Sequence, residues 1–126
     1  MKYTVKEVSM KTNLSSHTIR YYEKEGLLPF VKRDKSGNRE FSDQDLEWIS
    51  LIDCLKNTGM PLKNIKQYIN WYIEGISTFD MRRDLLIQHR LNVLSQLEEL
   101  KHNLDKIDKK ITYYDNTNEI HPELKR

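Results

Sequence analysis

The sequence predicts a mainly α fold: a winged helix-turn-helix head with a small β-hairpin, followed by a long coiled-coil helix. Three observations carry this reading. Two short helical segments stand near the start, one beginning at the capping residue Thr4 and reaching Thr12, the other following the cap-forming break Asn13-Leu14-Ser15-Ser16 and closed by Gly26. A polar, glycine-bearing stretch, Asp34-Lys35-Ser36-Gly37-Asn38, lies between two short extended runs. Residues 79–114 hold neither glycine nor proline and repeat apolar residues at a spacing of three and four. With 126 residues, 37% hydrophobic and 32% charged, the chain can build one compact core or a small domain plus an extension, which excludes most large enzyme folds. Low apolar and high charged content imply solvated helix surface or a partner that completes the core, so a monomer is not expected. The expected organisation is a head over residues 1–75, a hinge and dimerisation helix over 76–114, and a short polar tail over 115–126.

Thr4-Val5-Lys6-Glu7 has the capping-box form, and Val5, Val8 and Thr12 share one face of the first helix. Asn13-Leu14-Ser15-Ser16 breaks the pattern. In the second helix Ile19 and Tyr22 form the apolar face, while His17, Arg20, Tyr21 and Lys24 gather opposite. Gly26 closes it and Pro29 blocks resumption. Val31-Lys32-Arg33 and Arg39-Glu40-Phe41 read as the strands of the hairpin. Ser42 and Asp45 cap a third helix running to Asn57, whose apolar residues Leu46, Trp48, Ile49, Leu51, Ile52, Cys54 and Leu55 spread around most of the wheel. Pro61 suits the first turn of a fourth helix with one apolar arc through Leu62, Ile65, Tyr68, Ile69, Tyr72 and Ile73. Residues 74–78 read as a hinge. In the last helix Leu86, Val93, Leu97, Leu100, Leu104, Ile107, Ile111 and Tyr114 make the seam, interrupted early by Arg90. At 1.5 Å per residue this helix would be about 54 Å long, more than the head could cover, so a second copy is expected as the other strand.

The net charge of +2 conceals segregation. Residues 1–39 hold nine Lys/Arg against four Asp/Glu, whereas residues 40–59 hold Lys56 against Glu40, Asp43, Asp45, Glu47 and Asp53. An anionic partner is therefore expected at the N-terminal end. A helix, a turn and a second helix with a cationic, aromatic outer face form the arrangement that enters a DNA major groove, and a hairpin beside it can lay Lys32, Arg33, Lys35 and Arg39 along a phosphate backbone.

Three ordered motifs then resemble the MerR family of bacterial transcription regulators: Thr18-Ile19-Arg20-Tyr21-Tyr22-Glu23 followed by Gly26-Leu27-Leu28-Pro29, then Gly37-Asn38-Arg39-Glu40-Phe41, then Thr58-Gly59-Met60-Pro61-Leu62. The resemblance implies a homodimer joined by a long antiparallel helix pair. It implies recognition of pseudo-palindromic double-stranded promoter DNA, which is distorted so that RNA polymerase can engage promoter elements set too far apart. Arg20 and Tyr21 match the family's DNA-contacting positions on the recognition helix, and Arg39 matches the wing arginine. Lys63 and residues 58–61 match the second-wing region. Tyr22 also matches, but its place beside Ile19 assigns it to the core. Asn38 and Phe41 stand where many relatives carry tyrosine. The candidate DNA-binding set is Ser16, His17, Thr18, Arg20, Tyr21, Lys24, Arg33, Lys35, Asn38, Arg39 and Lys63.

Cys54, the single cysteine, resembles the lone cysteine of small family members associated with aldehyde and other thiol-reactive stress. It is a candidate redox or electrophile sensor and, alternatively, a small buried hydrophobe. His17, His89, His102 and His121 form no metal-ligand spacing, so neither a metal nor a cofactor is expected. No glycine-rich phosphate loop, nucleophile elbow or carboxylate pair points to an enzyme. No apolar run is long enough for a bilayer and no signal-like stretch stands at the start, so a cytoplasmic protein is expected. The competing reading is a coiled-coil adaptor whose helix-turn-helix head binds protein.

Overall fold

The computed structural model describes residues 1–117. In chain order the elements are β1 (Lys2–Tyr3), α1 (Val5–Thr12), α2 (Ser16–Lys24), β2 (Lys32–Arg33), β3 (Arg39–Ser42), α3 (Asp43–Asn57), α4 (Leu62–Glu74), a 3-10 turn (Ile76–Thr78) and α5 (Phe79–Thr117). The capping chemistry sets most of the boundaries. Thr4 Oγ1 accepts from the Glu7 amide at 3.1 Å while Glu7 Oε1 accepts from the Thr4 amide at 3.0 Å, which satisfies two amides that the first turn of α1 leaves free. Asn13, at φ 60°, closes that helix in the left-handed region, where its short polar side chain is tolerated. Ser15 Oγ then accepts from the Thr18 amide to start α2, and Ser42 with Asp45 forms the same reciprocal box at the start of α3.

The hairpin forms as its turn chemistry dictates. Asp34 Oδ1 accepts from the amides of Ser36 and Asn38, both at 2.9 Å, and Gly37 adopts φ +84°, which a side chain would disfavour. Lys32 faces Glu40 and Arg33 faces Arg39 in antiparallel register. The sheet has a third strand that the sequence analysis missed. β1 pairs with β3, Tyr3 opposite Phe41, giving the order β1-β3-β2. A two-residue strand has no alternation to detect; its evidence is the partner strand, where Tyr3 pairs with Phe41 and Lys2 with Ser42.

Residues from Met1 to Leu85 form one compact unit, and the chain from Leu86 onward forms a second. In the first, Val8, Ile19, Tyr22, Leu28, Phe41 and Ile49 are almost wholly withdrawn from solvent, and α1, α2, α3 and the sheet meet around them. Burial of each such side chain stabilises the fold by about 1.5–3 kcal/mol. α3 buries Ile49, Ile52 and Leu55 on one arc and half-buries Leu46, Trp48 and Leu51, so its apolar wheel is less completely covered than the pattern implied. The Trp48 ring lies 5.7 Å from Phe30, 5.9 Å from Tyr68 and 4.4 Å from Tyr72, which ties α3 to α4. Pro61 is the N-cap of α4 rather than part of its first turn. Gly75 ends α4 at φ +104°. Beyond it Thr78 is buried, its hydroxyl donating to the Gly75 carbonyl at 2.8 Å and accepting from Arg82 Nε at 3.1 Å. Arg82 also lies over the Tyr72 ring at 5.5 Å, so the first turns of α5 belong to the head.

In the second unit α5 runs to Thr117, three residues past the Tyr114 end expected of it, because Asp115, Asn116 and Thr117 continue the helix without a breaker. The remainder of the expected polar tail, residues 118–126, lies outside the described residues. Leu97, Leu100, Leu104, Ile107, Ile111 and Tyr114 are 45–65% exposed along this helix, while Leu86 and Val93 are half-buried. Surface ion pairs join Glu98 to Lys101 and Asp105 to Lys109.

Tyr22 supplies a stability test. Its hydroxyl donates to Asp53 Oδ1 at 2.8 Å, and Asn57 holds the other oxygen of Asp53. Burial and then this hydrogen bond push the phenol well above its ordinary pKa of 10.0. The folded state therefore favours the neutral phenol. That stabilisation is complete below the unfolded-state pKa and is lost as pH climbs through the higher folded-state value. Tyr22→Phe should cost roughly 1–2 kcal/mol at neutral pH and flatten the alkaline fall in stability. Denaturant melts between about pH 8 and pH 11 check both, and an unchanged alkaline slope in the variant would remove Tyr22 as its source.

Candidate nucleic-acid interface

The second helix sorts its side chains by wheel position. Ile19 and Tyr22 are buried against the core, which turns His17, Arg20, Tyr21 and Lys24 outward, all four exposed. Ser16 and Thr18 are half-buried in the first turn, where the Thr18 hydroxyl meets that of the cap residue Ser15 at 2.9 Å. Tyr21 keeps 39% of its surface, and its ring stands 6.2 Å from that of Tyr22. The Lys56 ammonium lies 5.4 Å from each of these two rings, so α3 braces the aromatic part of α2 by a cation–π contact.

On the hairpin, Arg33, Lys35 and Asn38 are exposed and Arg39 is half-buried. Arg33 Nη1 donates to the Gly37 carbonyl at 2.8 Å, and Nε of Arg39 donates to the Glu23 carboxylate on α2. An open groove of about 670 Å³ runs between the N-terminal segment, α2 and the hairpin, with Arg20, Arg33, Asn38 and Arg39 on its walls. Of the expected set, those four share the groove. Tyr21 instead faces a cleft of about 70 Å³ with Lys56 and Leu62. His17, Lys24 and Lys35 are exposed but do not line the groove, nor do Ser16 and Thr18, and Lys63 is exposed on the first turn of α4.

Three charged residues at this site escaped sequence reasoning. Lys2 and Lys6 line the same groove, brought there by β1 and by the capped start of α1. The excess of basic residues in the first 39 was the available signal, but the strand that places Lys2 was not. Glu23 belongs to the first of the three motifs, and its pairing with the hairpin exists only in the tertiary structure. The groove carries Lys2, Lys6, Arg20, Arg33 and Arg39 against Asp34 and Glu40, a surplus of positive charge suited to a polyanion. Lys2 spends part of its charge on Glu40, 3.7 Å away.

Cys54 is exposed, which overturns the reading of it as a small buried hydrophobe. Among the described residues no group of three or more His, Cys, Asp or Glu could hold a metal ion, and no helix is long and apolar enough to cross a membrane.

Comparison with known proteins agrees with this geometry. Residues 3–70 match the family described as MerR HTH family regulatory protein, and residues 46–110 match the region described as MerR, DNA binding. An uncharacterized HTH-type transcriptional regulator of Haemophilus influenzae is 46% identical over 114 residues, which is 90% of this chain and 84% of that protein. HiNmlR, a MerR family regulator lacking the sensor domain and solved bound to promoter DNA, superposes with a TM-score of 0.88 at 44% identity, covering 95% of this chain and 91% of that one. A MerR family transcriptional regulator from Bacillus thuringiensis gives a TM-score of 0.84 at 44% identity, covering 90% of this chain and all of that one. The basic groove beside an outward-facing α2, the hairpin wing and these matches lead to one conclusion: the chain belongs to the MerR family and is a DNA-binding transcription regulator.

Proposed function

We propose that the protein works as a cytoplasmic homodimer, each subunit laying α2 and the wing on one half of a pseudo-palindromic promoter and distorting the DNA between so that RNA polymerase engages it. The observation that carries the reading is the pairing of a basic groove on the head with an apolar stripe on α5. Six large side chains 45–65% exposed in a row, from Leu97 to Tyr114, are more apolar surface than a helix in water keeps without a partner. A second copy offers the same stripe and completes a seam. The groove supports DNA contact by Arg20, Arg33, Asn38 and Arg39, with Lys2 and Lys6 added to the set. Ser16, His17, Thr18, Tyr21, Lys24, Lys35 and Lys63 do not line the groove, and in this reading they contact neighbouring backbone or base edges. Titrating a fluorescent fragment of the DNA upstream of its own gene across a range of salt tests this reading. Affinity that falls steeply with salt and exceeds that for random duplex is the expected result. Binding without sequence preference would refute it and favour a protein-binding adaptor.

The signal is a small thiol-reactive stress molecule, and Cys54 receives it, as the resemblance to the single-cysteine branch of the family suggests. The thiol is exposed on α3, near the end whose Lys56 braces Tyr21 and Tyr22 of α2. An adduct there would shift α3 against the DNA-reading helix and change how the promoter is bent rather than how tightly it is held. Transcription from the distorted promoter should respond to an aldehyde or a thiol oxidant in the wild type and stay flat in Cys54→Ser, which keeps size but loses the nucleophile. Normal induction of Cys54→Ser would remove Cys54 from the signal path.

A further inference from the structure

Two arginines of the wing converge on one carboxylate of the recognition helix. Nε of Arg39 donates to both oxygens of Glu23, and Arg33 Nη2 lies 3.6 Å from Glu23 Oε1. Arg33 and Arg39 face each other across β2 and β3, so a single anion on α2 grips both strands of the hairpin. Arg33 carries the link on to the tip of the loop through its bond to the Gly37 carbonyl. The Glu23 and Arg39 side chains are only 20% and 27% exposed, and partial removal from water strengthens such a pair beyond an ordinary surface contact. Among the described residues Arg39 uses only Nε, which leaves its two terminal amino groups for another anion along the groove that Arg20, Arg33 and Arg39 line.

A carboxylate beside a phosphate-binding groove should weaken DNA binding by simple repulsion. We propose that Glu23 instead acts as a positioning residue for DNA recognition: it fixes the wing against α2 so that Arg39 and Arg33 present their free donors to the same stretch of backbone that Arg20 reaches. The inference rests on the reading that Arg39 contacts DNA. It also names Glu23 as the link through which a movement of α2 reaches the wing, since no other ion pair among those described joins α2 to the hairpin.

The sign of the effect distinguishes positioning from charge. The full-length variants Glu23→Ala, Glu23→Gln, Arg39→Ala and the double variant Glu23→Ala/Arg39→Ala are titrated with upstream promoter DNA and with random duplex at several salt concentrations. Glu23→Ala should bind the promoter and random duplex alike roughly tenfold more weakly although it removes a negative charge, because the contacts it positions are to the backbone. Glu23→Gln keeps one oxygen to accept from Nε and should fall between that variant and the wild type. In the double variant the Glu23 change should add little to the loss caused by Arg39→Ala, because its partner is already gone. Tighter or unchanged promoter binding by Glu23→Ala, alongside weaker binding by Arg39→Ala, would overturn the proposal and leave the DNA-contact reading standing. Losses that multiply in the double variant would overturn it too. If Arg39→Ala binds normally, the contact reading fails and the positioning role falls with it. Should Glu23→Ala not fold, the nearly isosteric Glu23→Gln decides by the same sign.

Discussion

Replacing Leu97 and Leu104 together with aspartate should turn the protein into a monomer in sedimentation. These leucines are 47% and 55% exposed on α5, at central positions of the seam that runs from Leu86 to Tyr114. Covering the exposed half of each is worth about 1 kcal/mol, and a dimer contains four such side chains, so their loss alone raises the dissociation constant by about a thousandfold. Four carboxylates forced into an apolar seam add a further penalty, since each would lose water without gaining a partner. Helicity should fall as well, because the distal part of α5 owes its stability to packing more than to intrinsic propensity. Lys109→Ala is the control. It breaks a surface pair with Asp105 worth less than about 1 kcal/mol and should leave the dimer intact. A dimer that survives the double aspartate change would place self-association elsewhere in the chain.

Removing Arg20 or Arg39 should weaken promoter binding by roughly ten- to a hundredfold while leaving dimer and helicity unchanged. Arg20 is exposed, so its truncation opens no cavity. Arg39 is half-buried, but Arg33 remains beside Glu23 when it goes, so the carboxylate is not left alone. The dependence on salt then separates the two ways an arginine can serve. A lost phosphate contact lowers the slope of log affinity against log salt by about one, equally for promoter and random DNA. A lost base contact narrows the gap between promoter and random DNA and leaves the slope alone. Equal affinity of both variants and the wild type would refute a role for this groove in DNA binding.

Much of this architecture was legible because local chemistry settles it. Thr4 with Glu7, Ser15, and Ser42 with Asp45 announce three helix starts, and the hydrogen bonds they imply are present. The wheel of α2 correctly separated buried Ile19 and Tyr22 from exposed His17, Arg20, Tyr21 and Lys24, since one helical period was enough to tell the faces apart. What escaped depends on distant partners. β1 exists only because Phe41 and Ser42 pair with it, and Lys2 reaches the groove only through that pairing. Glu23 looks like any surface glutamate until the hairpin folds back on α2. For Cys54 the wheel left two readings open: it stands between Glu47 and Ser50, away from the centre of the apolar arc, yet the apolar residues spread so widely that only the packing of α1 and α4 around α3 decides in favour of exposure.

Footprinting the full-length protein on the DNA flanking its own gene tests the central claim most directly. A homodimer that holds two half-sites and distorts the DNA between them should protect two symmetric blocks with a nuclease-hypersensitive step at their midpoint, and the pattern should disappear with the Leu97/Leu104 aspartate variant. Protection of a single half-site, or none beyond that given by unrelated DNA, would contradict it.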